Sequence, residues 1–162
     1  MDSFVTQIEL ADEQATLALG AAVAPHLRTG DVFALRGGLG AGKTCFARGV
    51  ITALVGPAEV PSPTYTLVQS YDTPQGELWH GDMYRLPRED DVIELGLEDA
   101  FLDCICLIEW PDKIAAFLPD DVIDIEFSFD GPAGPLGNQV SRHVSRQVII
   151  KGAREWIKGL KI

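Results

Sequence analysis

Residues 37–44 read Gly37-Gly38-Leu39-Gly40-Ala41-Gly42-Lys43-Thr44, which meets the P-loop pattern G-x-x-x-x-G-K-S/T at every required position. Such an octet constrains the chain on both sides. It must leave a buried strand, curl around an anion and open a helix. The flanks comply: Val32-Phe33-Ala34-Leu35 is a short apolar run of the buried-strand type, and residues 44–54 place Phe46, Val50 and Leu54 at helical spacing. Glycines let the backbone bend so that its N–H groups point at a phosphate, and the positive end of the helix adds to the same field. The Lys43 ammonium suits β- and γ-phosphates, and the Thr44 hydroxyl suits a Mg²⁺ bridging them. The expected ligand is a nucleoside triphosphate with Mg²⁺, held by Gly38, Leu39, Gly40, Ala41, Gly42, Lys43, Thr44 and Cys45.

The rest of the chain reads as alternating strands and helices. Residues 6–10 alternate polar and apolar like a half-exposed strand, and 11–27 read as a helix with acidic residues in its first turn that Pro25 kinks or ends. Pro57, Pro61 and Pro63 keep the segment after the loop helix extended. Strands at 67–71 and 78–82, joined by the turn residues 72–76, make a hairpin. A short acidic helix at 89–95 stops at Gly96, and an apolar central strand at 105–108 ends in Glu109. Helix restarts at 111–117, a one-sided strand spans 122–127, and 131–138 is the loosest segment. A last strand at 144–150 and a short helix around Trp156 close the chain. The fold class is α/β: a P-loop NTPase-like three-layer fold with a mixed, mostly parallel central sheet and helices on both faces. A single domain over 1–162, with the basic strand and helix tail 140–162 as part of it, fits this length.

Charge separates the function classes. The chain has a net charge of −11, yet residues 140–162 hold 6 Lys and Arg against 1 acidic residue. An acidic body repels a phosphate backbone, so direct tRNA or DNA binding is not expected. The tail is either a solvated surface or a patch that docks an acidic partner or RNA backbone. The longest apolar stretch, 17–25, is far short of a membrane span of roughly 20 residues, and no basic leader opens the chain. A cytoplasmic protein with reduced cysteines is the expectation, with Cys104 and Cys106 on one face of a strand as packing residues.

Hydrolysis needs more than a phosphate loop. Glu109, at the carboxyl end of an apolar strand, is placed to hold Mg²⁺ or to polarise the attacking water. Asp82, in His80-Gly81-Asp82-Met83-Tyr84-Arg85, either reaches the metal shell or caps the next turn. His80 reads as a structural histidine. Arg85 is an internal arginine finger or a salt-bridge partner of Glu89, Asp90 and Asp91. Thr64, in the proline-flanked Ser62-Pro63-Thr64-Tyr65-Thr66 segment, either responds to the γ-phosphate or sits in a fixed turn, and Trp110 stacks on nucleotide or packs on the core.

Taken together, these segments and Glu94-Leu95-Gly96-Leu97 and Ile108-Glu109-Trp110-Pro111 resemble the TsaE (YjeE) family, the small ATPases of bacterial tRNA threonylcarbamoyladenosine synthesis. The resemblance covers nearly the whole length. It implies that Lys43 and Thr44 bind phosphates and Mg²⁺, that Thr64 belongs to a switch-like loop, and that Asp82 and Glu109 serve metal binding and hydrolysis. Lys43, Asp82 and Glu109 are thus the catalytic candidates, and Thr44, Asp82 and Glu109 the metal ligands. It further implies slow ATP hydrolysis alone and action with the TsaB and TsaD proteins, TsaD carrying out the transfer to adenosine 37 of tRNA, so that tRNA is met only through the complex. Gly81 departs from the family pattern, where a bulkier apolar residue is common, and the tail matches weakly. Alternatives from the residues alone are a small-molecule P-loop kinase and a non-hydrolysing nucleotide-binding regulatory module. A GTPase is disfavoured by the lack of an Asn-Lys-x-Asp run.

Overall fold

A computed structural model describes residues 2–57, 60–61, 66–129 and 146–162. The strands are β1 (Phe4–Leu10), β2 (Val32–Arg36), β3 (Val68–Thr73), β4 (Gly76–Asp82), β5 (Ile105–Glu109), β6 (Ile123–Phe129) and β7 (Arg146–Gly152). The helices are α1 (Glu13–Val23), α2 (Lys43–Val55), α3 (Asp91–Leu95) and α4 (Leu97–Asp103). All seven strands join one sheet in the order β1-β7-β6-β2-β5-β4-β3. The four neighbours β6, β2, β5 and β4 are parallel, while β7 and β3 run against them and β1 pairs antiparallel with β7. Five strands therefore share one direction, the mixed and largely parallel sheet expected.

Alternation along the central strands explains the two apolar layers. Phe33 and Leu35 of β2, with Ile105 and Leu107 of β5, face the cluster that holds Leu19 and Val23 of α1 and Phe46, Val50 and Ile51 of α2. Val32, Cys106 and Ile108 face the opposite cluster, with Val92, Leu97 and Phe101 from α3 and α4. Cys104 and Cys106 share this second face, and burial pushes the Cys106 thiol far up. Helices on both faces leave β2 and β5 buried on each side, which is why they read as unbroken apolar runs.

Local signals account for most boundaries. Asp12 caps α1, its Oδ1 accepting from Ala15 N at 2.8 Å, and the α-helix ends at Val23 because Pro25 lies in a following 3₁₀ turn, Ala24–His26. The hairpin strands reach further into their turn than expected, to Thr73 and Gly76, where Thr73 Oγ1 donates to Gly76 O at 2.6 Å. Gly96 ends α3 at φ 77° as expected, but α4 starts on the next residue and went unread, since one left-handed residue turns the chain between two helices. The segments Pro111–Phe117 and Glu155–Gly159 are 3₁₀ turns rather than α-helices. The expected loose segment 131–138 and residues 144–145 of the expected last strand lie outside the described residues. Gly81 sits close to its neighbours: a Cβ there would lie 3.1 Å from Met83 Cε and 3.2 Å from Ile108 Cδ1, so those side-chain ends would have to shift to admit a larger residue. No helix among the described residues is long and apolar enough to cross a membrane.

Helices α1 and α2 meet through two glycines. A Cβ on Gly20 would lie 2.5 Å from Phe46 O, and one on Gly49 would lie 2.4 Å from Leu17 O. Both obstacles are backbone, so neither can rotate away, and the helix that carries the Gly37–Thr44 loop is seated by this contact. The substitution Gly49→Ala is expected to destabilise the fold by up to about 2 kcal/mol, with overpacking of about 1–3 kcal/mol set against a helix-propensity gain of about 1 kcal/mol. A lowered midpoint of urea unfolding measures it; an unchanged or raised midpoint contradicts the close approach.

Candidate functional site

The parallel strands end together along one edge. Leu35 of β2 and Asp82 of β4 both pair with Glu109 of β5, so the chain leaving β2 and the two carboxylates of the neighbouring strand ends meet there. Between β2 and α2 the backbone turns through Gly37 (φ 143°), Gly40 (φ 71°) and Gly42 (φ 120°), values that a side chain would strain. At Gly37 a Cβ would in addition meet Phe127 O at 2.7 Å.

Lys43, the first residue of α2, folds back over this turn. Its Nζ donates to Gly37 O at 2.6 Å and Gly38 O at 2.8 Å, and lies 4.3 Å from the centroid of the Trp110 ring. Burial lowers its pKa from the usual lysine value, while the charges of Glu109 and Asp82 act the other way. Thr44 Oγ1 donates to Glu109 Oε1 at 2.7 Å, and His80 Nε2 lies 2.7 Å from Glu109 Oε2. Glu109 is 2% exposed and His80 fully buried, with no partner for His80 Nδ1 among the described residues. The glutamate thus uses both oxygens to tie the β4 strand to the start of α2.

Asp82 is 7% exposed and accepts from Tyr84 N at 3.0 Å. Burial raises its carboxyl above the ordinary aspartate value, and Glu109 adds to the rise; the Tyr84 N–H, His80 and Lys43 oppose it. Trp110 follows Glu109 with φ 55° and ψ 52°, a left-handed backbone unusual for a bulky residue, and its ring packs on Tyr84 at 4.9 Å. That conformation turns the indole away from the strand and over Lys43.

These groups line a cleft of about 380 Å³. Leu39, Gly40, Gly42, Lys43, Thr44, Cys45, Asp82, Glu109 and Trp110, all anticipated from the sequence, lie on its wall. Ala41 is buried and belongs to the core behind the loop, so only its backbone can face a ligand. Gly38 gives its carbonyl to Lys43. Thr64 lies outside the described residues. Arg85 is exposed, and Glu89 accepts from Ala116 N at 3.2 Å. Three wall residues escaped sequence reasoning: Glu13, Arg48 and Arg146. Nothing local marks them. Glu13 reads as a helix-start acid, and Arg146 reaches the cleft only because β7 returns beside β6.

The donor set suits a hard cation. Thr44 hydroxyl, Glu109 and Asp82 offer oxygens only, the chemistry Mg²⁺ prefers. No three His, Cys, Asp or Glu among the described residues gather to hold a metal by themselves. A glycine-bent turn at a helix start, one lysine and two carboxylates at neighbouring strand ends can together bind a phosphate chain and its counter-cation.

Comparison with known proteins agrees with this geometry. The family described as threonylcarbamoyl adenosine biosynthesis protein TsaE matches residues 10–133, a span that holds the glycine turn, Asp82, Glu109 and Trp110. A protein of Rickettsia bellii described as tRNA threonylcarbamoyladenosine biosynthesis protein TsaE is 36% identical over 126 residues, covering 77% of this chain and 88% of that one. Its namesake in Bacillus subtilis is 38% identical over 111 residues, covering 68% and 69%. The crystal structure of Bacillus subtilis YdiB superposes with a TM-score of 0.72 at 25% identity, over 98% of this chain and 93% of that one. With family match, relatives and fold all in register with the residues at the cleft, the chain belongs to the TsaE family.

Proposed function

We propose that the whole chain works as one Mg²⁺-dependent P-loop ATPase domain that supports N6-threonylcarbamoyladenosine modification at adenosine 37 of tRNA, by binding and resetting a complex of the TsaB and TsaD proteins. The observation that carries the ATPase reading is the junction of Lys43, Thr44, Glu109 and Asp82 at the mouth of the Gly37–Thr44 turn. The family's relatives, described as proteins of threonylcarbamoyladenosine biosynthesis, support the pathway. Acidity supports the division of labour: a chain of net charge −11 is suited to regulating a tRNA-modifying complex from the cytoplasm, not to holding the tRNA.

In this reading the backbone N–H groups from Gly38 to Cys45 cradle the phosphates, and Lys43 exchanges its two carbonyl partners for phosphate oxygens. Mg²⁺, when bound, neutralises charge on the phosphates. Thr44, Asp82 and Glu109 hold it, directly or through water, and one of the two carboxylates orients the attacking water. His80 keeps Glu109 aimed at Thr44. Thr64 follows the γ-phosphate from the switch-like loop, and Trp110 closes the cleft over the nucleotide.

Phosphate release with no added acceptor, measured alone and with TsaB and TsaD, tests the reading; release only in the presence of a small-molecule acceptor marks a kinase instead, and tight binding without release marks a non-hydrolysing module. Lys43→Ala is expected to weaken ATP binding about 10- to 100-fold, the loss of a charged hydrogen bond. Glu109→Gln is expected to retain binding within several-fold while hydrolysis falls by about 100-fold or more. Full multiple-turnover tRNA modification by both variants would show that no reset by ATP is needed.

Acid should weaken Mg·ATP binding in a particular way. Asp82 must be ionised to serve the cation, and its carboxyl holds a proton above the ordinary aspartate value. Affinity is therefore expected to fall as pH drops through that raised value, and Asp82→Asn should bind more weakly but lack this acid limb. Calorimetry across about pH 4 to 7 measures both; an acid limb unchanged in Asp82→Asn assigns the titration elsewhere.

A further inference from the structure

Trp110 keeps its place over Lys43 in a conformation that its own backbone disfavours. Its φ of 55° and ψ of 52° lie in the left-handed region, which a bulky residue holds only where the surrounding structure over-determines it. On the amino-terminal side that constraint is plain, because Glu109 is paired in the sheet with both Leu35 and Asp82. On the carboxyl-terminal side the chain leaves the sheet at once, through Pro111 into the 3₁₀ turn. Proline fixes its own φ, but that does not tie the turn to the rest of the molecule. Nor does packing alone hold the residue. A second cavity of about 300 Å³ lies against Leu35, Gly37 and Gly38 at the base of the glycine turn, and Trp110 lines both this cavity and the larger cleft. Trp110 thus borders open space on two sides.

Arg36 supplies the missing anchor. It is the last residue of β2 and directly precedes Gly37. Its Nε donates to Asp124 Oδ1 of β6 at 2.8 Å, and its Nη1 donates to Asp112 Oδ1 of the 3₁₀ turn. Asp124 is held in the sheet opposite Ala34 of β2, so the guanidinium is fixed at one end and reaches the turn with the other. A planar fork with separate donors serves two carboxylates at once, which an ammonium on a flexible stem does less well. The Asp112 side chain is 81% exposed, and an ion pair with so exposed a partner adds little to stability. What the contact can supply is position.

We propose that Arg36 is a positioning residue of the cleft: by tying Asp112 to β6 it holds the turn that follows Trp110, and so keeps the indole over Lys43 and the glycine turn. The strand that leads into the glycine turn thereby also sets the wall that faces it. The consequence for nucleotide affinity rests on the reading of the cleft as an ATP site, whereas the placing of the indole does not.

Labelling with 5-fluorotryptophan gives each of the three tryptophans its own ¹⁹F resonance, assigned with Trp79→Phe, Trp110→Phe and Trp156→Phe. In Arg36→Met and in Asp112→Ala the Trp110 resonance is expected to shift while those of Trp79 and Trp156 stay, with the urea midpoint close to that of wild type. Calorimetry with Mg²⁺ and ATP is expected to show affinity reduced about threefold to tenfold in either variant, the scale of one aromatic contact. The double variant is expected to lose no more than either single one, because both remove the same contact. Asp112→Ala, at an exposed position, carries the test should Arg36→Met fail to fold. A Trp110 resonance that stays in place, or that moves together with those of Trp79 and Trp156, overturns the positioning role, as do unchanged ATP affinities or losses that add in the double variant. Wild-type protein that binds no ATP overturns the reading of the cleft, and the ¹⁹F shifts then decide the placing of the indole by themselves.

Discussion

The site depends on one buried anion. Glu109 ends a strand that is packed on both faces, and taking a carboxylate out of water there costs several kcal/mol unless donors replace the lost hydration. Thr44 Oγ1 donates to one of its oxygens and His80 Nε2 lies against the other, each at 2.7 Å, from two different elements. Hydrogen bonds to an ionised acceptor are among the stronger ones, so the same contacts that offset burial also fix α2 against β4 and β5. His80 and Asp82 lie two apart on β4, and alternation puts both on the Glu109 side of the strand. Strand pairing thereby converts a register into a cluster of three titratable side chains.

The opposite charge is handled locally. Lys43, drawn from water by its position at the start of α2, takes two carbonyls of its own loop and the face of Trp110 as partners. Its charge is thus met within the loop and by the neighbouring indole. The left-handed backbone of Trp110 costs on the order of 1–3 kcal/mol, and it sits at the site, where the indole contacts both Tyr84 and Lys43. The glycine contact between α1 and α2 sets the pose of the helix that carries Lys43 and Thr44, so stability and site geometry meet in the same helix pair.

Much of this was legible before any coordinates. The octet at 37–44 demands strand, turn and helix, and β2 and α2 appear where it requires them. The apolar run before Glu109 reads as a central strand because burial on both faces removes alternation. Other parts were not legible. Helix α4 follows Gly96 without a gap, and a glycine that normally stops a helix here also opens one. The placing of Arg146 depends on β7 returning between β1 and β6, a pairing among residues far apart in sequence that no local pattern encodes. His80 read as a structural histidine, and its contact with Glu109 comes from parallel pairing across 29 residues.

Residue types and spacing alone settled which atoms are available: a bendable glycine turn, one ammonium, one hydroxyl and two carboxylates at strand ends. These follow from short-range rules, since φ preferences, side-chain alternation and helix starts are properties of a few neighbouring residues. Tertiary structure alone decided which of those atoms touch. It tied Thr44 to Glu109 and Glu109 to His80, laid Trp110 over Lys43, and brought β7 to the far wall of the cleft. The physical reason is that strand order and register are chosen by burial of the whole sheet between two apolar layers, a long-range balance that no single segment carries.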